Sequence, residues 1–269
     1  MGEIVVRLLG SRGTIPICGD KYKKYGGATS CVLIQLGGET ILLDAGTGLL
    51  FIKEYLKESE KSIHILLSHP HLDHLQGMPI CPICFEKDFN IAVYAVPHGE
   101  LSAQQQIEAL MCPPLWPVGV WAFTAEVSFH DIITSTFFIG KVKVEHIQGS
   151  HPGGCTLFRL SFNGKSIVYA TDFEQDTDAD QRLDAFAKGC DLFLCDGQYT
   201  QEEFLSRRGF GHSTWNFAAQ MGARCGAKET KIIHHAVYRT DKELDHAMEE
   251  IRLSYPNCSF ARSREEIVL

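Results

Sequence analysis

The sequence predicts an α/β fold, a sandwich of four layers in which two β-sheets pack face to face and helices cover them. Short apolar runs bounded by turn residues recur in both halves of the chain, with segments of helical periodicity among them. Two strand-rich halves with outer helices favour such a sandwich, because each sheet must bury both faces. Since no linker rich in Pro, Gly or Ser divides the chain, we expect residues 1–269 to form a single domain.

Composition and charge narrow the class of protein. Of 269 residues, 45% are hydrophobic and 22% are charged, as in globular domains. The formal net charge of −8 disfavours the broad basic surface with which proteins bind large nucleic acids. No run reaches the roughly 18–20 apolar residues of a membrane helix, and the start lacks the features of a signal peptide. We therefore expect a cytoplasmic protein with no membrane contact and with its ten cysteines reduced.

The first half of the chain is predicted to be mostly strands. Gly37 and Gly38 separate two of them, which indicates a β-hairpin. The apolar run at 63–67 is typical of a strand buried on both faces. Residues 48–59 have helical periodicity, and a second helix is expected at about 100–111. The predicted strands are 4–9, 30–36, 39–43, 63–67 and 91–96.

The second half repeats this order of elements. Short apolar runs again alternate with segments of helical periodicity. The predicted strands are 141–147, 156–162, 166–170, 191–195, 231–233 and 259–261. The predicted helices are 181–188, 215–225 and 241–254.

Three imidazoles and a carboxylate occur within six residues, directly after the predicted strand 63–67. They belong to His69, His71, Asp73 and His74. Both kinds of side chain are good ligands for zinc, iron or manganese. Because residues two apart on an extended segment point the same way, His69 and His71 could hold one ion. Asp73 and His74 follow in a tighter turn and could reach a second ion.

One six-residue loop cannot fill two coordination spheres, so further ligands are expected at other strand ends. Four candidates follow predicted strands, namely His151, Asp172, His234 and His235. A lone histidine is more often a solvated or core residue than a ligand. Because these residues stand after strands, as the cluster at 69–74 does, we expect metal ligands among them instead. The choice between His234 and His235 stays open.

This order of residues resembles the metallo-β-lactamase fold superfamily. The signature H-x-H-x-D-H, the later His, the Asp and the final His follow one another as in that family. The resemblance is closest to ribonuclease Z and to bacterial hydrolases like cyclic-nucleotide phosphodiesterases. The supporting segments include LLDAGTG, HPGG, DFE, CDGQYT and GFGHSTW.

The resemblance implies a centre of two divalent metal ions, with zinc as the first choice and manganese or iron as alternatives. The implied ligands are His69, His71 and His151 for the first ion; Asp73, His74 and His234 (alternatively His235) for the second; and Asp172 between both. Asp44, in LLDAGTG, would orient a ligand histidine. Dimers are common in this group, so a homodimer is possible.

Two adjacent cations suit phosphodiester hydrolysis, because they activate water and neutralise charge on a phosphoryl oxygen. The chain is therefore predicted to be a metal-dependent phosphodiesterase that acts on small or cyclic nucleotides. Asp73 and His212 are the predicted catalytic residues, with His212 as the proton donor to the leaving group. Ser30 and Trp116 are predicted to contact the substrate.

Two alternative functions and one further possible metal site remain beside this prediction. The chain could hydrolyse another bond on the same fold, in a lactam, a thioester or a lactone. It could be a non-hydrolytic di-iron sensor, although such members usually have Glu where this chain has His71. The spacing of Cys81 and Cys84 could serve a metal, but no second pair of this kind exists, so two ordinary thiols are expected.

Overall fold

The computed structural model describes residues 3–269 and folds them into two mixed β-sheets of seven strands each. The strands are β1 (Val5–Gly10), β2 (Cys31–Leu36), β3 (Glu39–Leu43), β4 (Ser62–Leu67), β5 (Asn90–Ala95), β6 (Glu126–Asp131), β7 (Thr136–Ile139), β8 (Val142–Gly149), β9 (Cys155–Phe162), β10 (Lys165–Ala170), β11 (Leu192–Asp196), β12 (Glu229–Ile233), β13 (Cys258–Phe260) and β14 (Glu265–Val268). The α-helices are α1 (Leu72–Leu75), α2 (Ala103–Glu108), α3 (Thr177–Ala187), α4 (Gln201–Ser206), α5 (Trp215–Arg224) and α6 (Asp241–Ser254).

The two sheets share one pattern of strand pairing. The first sheet has the order β14-β1-β2-β3-β4-β5-β6, and the second has β13-β12-β11-β10-β9-β8-β7. Counted from β14 in the first sheet and from β7 in the second, each begins with three antiparallel pairings, from β14 to β3 and from β7 to β10. Each ends with three parallel pairings, from β3 to β6 and from β10 to β13. The carboxyl ends of parallel strands lie at one edge of a sheet, where residues distant in sequence can meet.

Three hydrophobic layers hold the sheets and helices together. Leu8 and Tyr169 belong to the layer between the two sheets. Their neighbours Leu9 and Val168 point the opposite way, as successive strand residues do. Leu9 packs in the layer that contains α2, and Val168 packs in the layer that contains α3, α5 and α6. This arrangement confirms the predicted α/β sandwich of four layers.

Some helices differ from the prediction in type or length. The segment predicted as helix 48–59 is the 3₁₀ helix Thr47–Glu54. It buries Leu49 and Ile52, which lie three residues apart, a spacing that suits a 3₁₀ helix as well as an α-helix. Helix α2 begins later than predicted because the Ser102 side chain caps it and accepts a hydrogen bond from the Gln105 N–H.

Three strands and two short helices were not predicted, namely β6, β7, β14, α1 and α4. The strands β6 and β7 are the outermost strands of their sheets. Ile139 is the only fully buried residue in either of them. The β7 sequence TFFI has no alternation of apolar and polar residues and therefore carries no strand signal. The β6 sequence EVSFHD does alternate, so this strand could have been predicted.

Two expectations concern the chain as a whole. Within residues 3–269, no helix combines the length and the apolar character that crossing a membrane requires. The ten cysteines are free thiols.

Candidate metal centre

The histidine-rich loop begins where β4 ends, at the carboxyl edge of the first sheet. The backbone is still extended at His71, with φ −66° and ψ 153°. The single helical turn α1 then starts and carries Asp73 and His74. This change of backbone direction divides the four potential ligands of the loop into two pairs.

His69 and His71 lie close to His151 and Asp172, which follow strands of the second sheet. The His151 Nε2 atom lies 3.0 Å from His71 Nδ1. The Nε2 atoms of His69 and His151 each lie 3.6 Å from Asp172 Oδ2. We call His69, His71 and His151 the first ligand group.

Asp73 and His74 meet a residue at the end of β12. The Asp73 Oδ2 atom lies 3.0 Å from His234 Nε2 and 3.4 Å from His74 Nε2. We call Asp73, His74 and His234 the second ligand group. All three residues are buried.

Asp172 lies between the two ligand groups and presents one carboxylate oxygen to each. Its Oδ2 atom faces the first group, as described above. Its Oδ1 atom lies 3.1 Å from His74 Nε2 and 3.2 Å from His234 Nε2. The structure thus brings together all seven residues that the sequence predicted as ligands.

The donor set fits a pair of divalent cations. Two bonds of about 2.0–2.1 Å at a tetrahedral angle separate their nitrogen atoms by roughly 3.3 Å. The ligand-atom distances of 3.0–3.6 Å described above agree with that separation. The Nε2 atoms of His69 and His74 are buried without a hydrogen-bond partner in the described chain. Buried polar atoms are rarely left unpaired, so both atoms are suited to binding a cation.

Asp44, which directly follows β3, supports the histidine-rich loop from behind. It accepts a hydrogen bond from His74 Nδ1 at 2.6 Å and another from the Ser68 hydroxyl at 2.8 Å. The Ser68 Oγ atom lies 3.0 Å from His69 Nδ1. A third donor, the Tyr169 hydroxyl, bonds to the same Asp44 carboxylate at 2.8 Å. These bonds place the Nδ1 protons of His69 and His74 on the side of the rings that faces Ser68 and Asp44. The Nε2 atoms on the opposite side are left free to bind metal.

The other two Nε2 ligands have similar supports. His151 donates from Nδ1 to the Gly211 carbonyl at 2.8 Å. His234 donates from Nδ1 to Gln198 Oε1 at 2.8 Å. Such bonds fix the tautomer and the orientation of a ligand imidazole.

Three residues of the centre have a left-handed backbone. They are Asp44 (φ 60°), Asp172 (φ 48°) and His234 (φ 61°), and each follows the end of a strand. Non-glycine residues rarely adopt this conformation, which carries a cost. The turn it produces brings each side chain to the edge of its sheet.

In the first ligand group the histidines lose protons easily. Burial lowers the pKa of His69 well below the usual imidazole value, although the Asp172 carboxylate opposes this effect. Burial also lowers the pKa of His71 and of His151. These imidazoles are neutral near pH 7, the form that binds a metal ion.

In the second ligand group the histidines retain protons. Burial disfavours a charged His74, but the Asp172 and Asp73 carboxylates outweigh it and raise its pKa well above the usual value. The same opposing causes raise the pKa of His234 to about 9. Conversely, His74 and His234 outweigh burial and hold the pKa of Asp73 far below its usual range.

His212 lies beside the second ligand group. Its ring stacks on His234 with 4.7 Å between centroids, and its Nδ1 atom donates to Asp196 Oδ2 at 2.8 Å. Asp196 therefore fixes the orientation of the His212 ring. Thr214 caps α5 through a hydrogen bond from the Phe217 N–H, so this segment combines helix initiation with a histidine at the site.

Glu174 connects the loop that carries His212 to the segment that carries Asp172. The sequence analysis did not identify this residue. Its carboxylate accepts hydrogen bonds from the Gly209 N–H at 2.8 Å and the Gly211 N–H at 2.7 Å. Gly211 has φ 88°, and a Cβ there would lie 2.0 Å from His151 Nδ1. The segment DFE contained the only signal, a carboxylate two residues after Asp172.

The first loop of the chain also reaches the centre. The Thr14 N–H donates to Asp73 Oδ2 at 2.7 Å. A Cβ on Gly13 would lie 2.4 Å from His234, so only glycine allows this approach. The segment GSRGTIP thus closes one side of the second ligand group.

Two other predicted residues make no side-chain hydrogen bond to the ligands within residues 3–269. The Ser30 carbonyl accepts from the Gly46 N–H, and no side-chain hydrogen bond joins Ser30 to a ligand within residues 3–269. Trp116 packs against the apolar layer on the outer face of the first sheet. Substrate contacts by these two residues therefore remain predictions.

His235 and the cysteine pair are buried in the protein interior. His235 donates from Nε2 to the Ala261 carbonyl at 2.8 Å, and burial lowers its pKa to about 3. The structure thus turns His234, not His235, toward the ligands. Cys81 and Cys84 are buried in the layer on the outer face of the first sheet, and the potential metal-binding groups of the described chain do not include them.

The chain matches a family model described as a beta-lactamase superfamily domain over residues 39–235. It is also similar to a ribonuclease Z of Lachnoclostridium phytofermentans, with 32% identity over 84 residues. That match covers 31% of this chain and 27% of the relative, so the chain matches about a quarter of that protein's length.

Two solved structures share the whole fold. The metallo-beta-lactamase fold protein YhfI from Bacillus subtilis matches with a TM-score of 0.75 and 19% identity over 100% of both chains. A diphosphatase from the PhnP family matches with a TM-score of 0.69 and 18% identity, over 100% of this chain and 98% of the other. With its ligand-bearing strand ends inside the matched region, this chain belongs to the beta-lactamase superfamily, with the metallo-β-lactamase fold and a likeness to ribonuclease Z.

Proposed function

We propose that this superfamily hydrolase is a phosphodiesterase that cleaves small or cyclic nucleotides. The proposal includes two divalent metal ions, with zinc the first choice and manganese or iron as alternatives. It assigns the metal-binding role to all seven predicted ligands.

The observation that carries the proposal is the position of Asp172. One of its oxygens faces the first ligand group and the other faces the second, at 3.1–3.6 Å from the histidine Nε2 atoms. A single carboxylate can bridge two cations in this way. Two-cation centres are widespread in enzymes that cleave phosphate esters.

When bound, two divalent cations activate water and neutralise charge on a phosphoryl oxygen. The chain itself supplies the orientation. Asp44, Gly211 and Gln198 hold the ligand imidazoles by their Nδ1 atoms, so the Nε2 atoms cannot turn away. The Thr14 N–H holds Asp73 in the same manner.

His212 is the proposed proton donor to the leaving group. Because Nδ1 donates to Asp196, the other ring nitrogen is the one that can hold or release a proton toward a substrate. The side chain is close to the ligands but not a member of either ligand group. A positioned histidine of this kind typically contributes 10²–10⁴-fold to rate.

One observation favours a small substrate, and a second favours a phosphate linkage. The net charge of −8 gives the chain no general attraction for a large polyanion. The similar protein named diphosphatase and the relatives named ribonuclease Z both act, by their names, at phosphate linkages, which favours a phosphodiester over a lactam or a thioester. A cytoplasmic location and a homodimer remain part of this proposal.

A panel of three substrates tests the proposal. The zinc-loaded protein is expected to release p-nitrophenol from bis-p-nitrophenyl phosphate and to leave a β-lactam and a thioester intact. Asp73→Ala serves as the matched inactive control. Preferential cleavage of the β-lactam or the thioester would refute the phosphodiesterase assignment, and an absorbing di-iron centre without hydrolysis would indicate a sensor.

A further inference from the structure

A cavity of about 180 Å³ lies beside the first ligand group. It opens between the loop that follows β5 and the loop that joins β8 to β9. Its lining includes His98, Gln148, Gly153, Gly154 and Thr156. None of these residues belongs to a ligand group.

The cavity adjoins the metal centre through the chain itself. Its lining includes Ser68, the residue before His69, and Gly153, which is two residues after His151. A group bound here would therefore lie next to the reacting part of a substrate.

Three of the side chains that line the cavity are unused hydrogen-bonding groups. Gln148 and Thr156 are direct partners across β8 and β9, so both project from the same face of the sheet. Within residues 3–269, the side chains of Gln148, Thr156 and His98 have no hydrogen-bond partner. Thr156 is only 7% exposed, yet its hydroxyl is not committed to the protein. Such groups are available to a ligand.

Two glycines in the lining leave space between these side chains. Gly153 and Gly154 have φ values of 81° and 99°, which side-chain-bearing residues rarely adopt. A Cβ on Gly153 would lie 3.1 Å from His98 Nε2, and one on Gly154 would lie 2.4 Å from Gln148 Nε2. The two glycines thus keep open the space between the imidazole and the amide.

The charge of the lining indicates the kind of ligand. No Asp or Glu is among the ten residues that line the cavity, although the chain has 33 acidic residues. Amide, hydroxyl and imidazole groups can all donate hydrogen bonds. Donors on a lining that itself carries no carboxylate suit an anionic group, because hydrogen bonds to charged oxygens are the strongest of this type.

We propose that this cavity binds a second phosphoryl group of the substrate, next to the phosphodiester that is cleaved. The inference rests on the proposed phosphodiesterase function and narrows its substrate class to nucleotides with two phosphates. The second phosphate could be a 3′-phosphate on the sugar or part of a diphosphate linkage. Both present the same charged oxygens to Gln148, Thr156 and His98.

Three p-nitrophenyl substrates distinguish these sources. The first is thymidine 5′-(p-nitrophenyl phosphate), the second is the same compound with a 3′-phosphate, and the third has a diphosphate between thymidine and p-nitrophenol. All release the same leaving group. The zinc-loaded protein is expected to show a higher kcat/KM for the second or the third compound than for the first, and the preferred compound identifies the source.

Variants of the cavity then test the residues. Thr156→Val and Gln148→Leu should each reduce the ratio of kcat/KM for the preferred compound over the first by about tenfold, because each removes one hydrogen bond to a charged group. Thr136→Val, on the exposed strand β7, is the matched control and should keep the wild-type ratio. A wild-type ratio near one, or a ratio that both variants preserve, would overturn this inference alone. No hydrolysis of any compound would overturn the phosphodiesterase proposal and this inference with it.

Discussion

The two ligand groups differ in burial and in charge. In the first group His71 is exposed, and the phosphoryl-binding cavity adjoins His69 and His151. In the second group every member is buried, and Asp73 adds a carboxylate. A buried anionic group binds a cation strongly because little water competes for it. We therefore expect the second group to hold its ion more tightly and the first to be the side from which substrate approaches.

Removal of the shared carboxylate should have the largest effect on metal content. Asp172→Ala deprives both groups of an oxygen, so we expect both ions to be lost and hydrolysis to fall roughly 10³-fold or more. Asp73→Ala, the matched variant, affects the second group alone and should abolish hydrolysis while one ion remains. Mass spectrometry of the metals per chain distinguishes these outcomes. Two ions in Asp172→Ala would show that this residue does not bridge the groups.

The pH dependence of stability should separate the groups in metal-free protein. His234 has a pKa raised to about 9, so its contribution is complete below about pH 6.5 and is lost as pH rises through 9. The loss is at most about 3 kcal/mol. The first-group histidines have lowered pKa values, so their contribution is lost as pH falls below about 6.5.

Thermal unfolding after chelation measures both effects. We expect the melting temperature to decline between pH 6.5 and 9.5, and the zinc-loaded protein to lack this decline because zinc binds neutral imidazole. An increase in melting temperature over that range would contradict the raised pKa of the second group.

Loss of His212 should spare both ligand groups. His212→Ala is expected to retain two ions and to lose roughly 10²-fold in turnover of an alkyl phosphodiester. The loss should be much smaller for a p-nitrophenyl ester, whose leaving group needs no proton. His246→Ala, an exposed histidine on α6, is the control. Equal losses with both substrates would exclude a role for His212 as leaving-group acid.

The smallest effect is expected from Glu174, which acts through its neighbours. Glu174→Gln replaces an acceptor of two N–H groups by a weaker one, so the loop of His212 should loosen. We expect roughly tenfold slower turnover of an alkyl phosphodiester, unchanged metal content and a greater dependence on the leaving group, because a loosened His212 donates its proton less well. Glu202→Gln, on the exposed face of α4, is the control. Loss of metal instead would place Glu174 among the supports of His151.

The ligands were predictable from the sequence because they combine two strong signals. Imidazole and carboxylate groups are dense at 69–74, and His151, Asp172 and His234 all stand after strands. Since the carboxyl ends of parallel strands share one edge, adjacency in space follows from the fold.

The supports were less predictable, because they depend on contacts rather than on residue type. Gly211 holds His151 with a backbone carbonyl, which any residue carries. Glu174 accepts hydrogen bonds from two backbone N–H groups of a loop distant in sequence, so its neighbours in the sequence do not identify it. The cavity beside the first group is formed by two loops far apart in sequence, and only the folded chain shows it.

The left-handed conformations of Asp44, Asp172 and His234 have a consequence for protein engineering. Glycine would relieve the backbone strain at each position, so a selection for heat resistance alone would favour its introduction there. Each such change would remove a side chain of the reactive centre. A stabilisation campaign on this enzyme should therefore keep these three positions constant and search the peripheral surface instead.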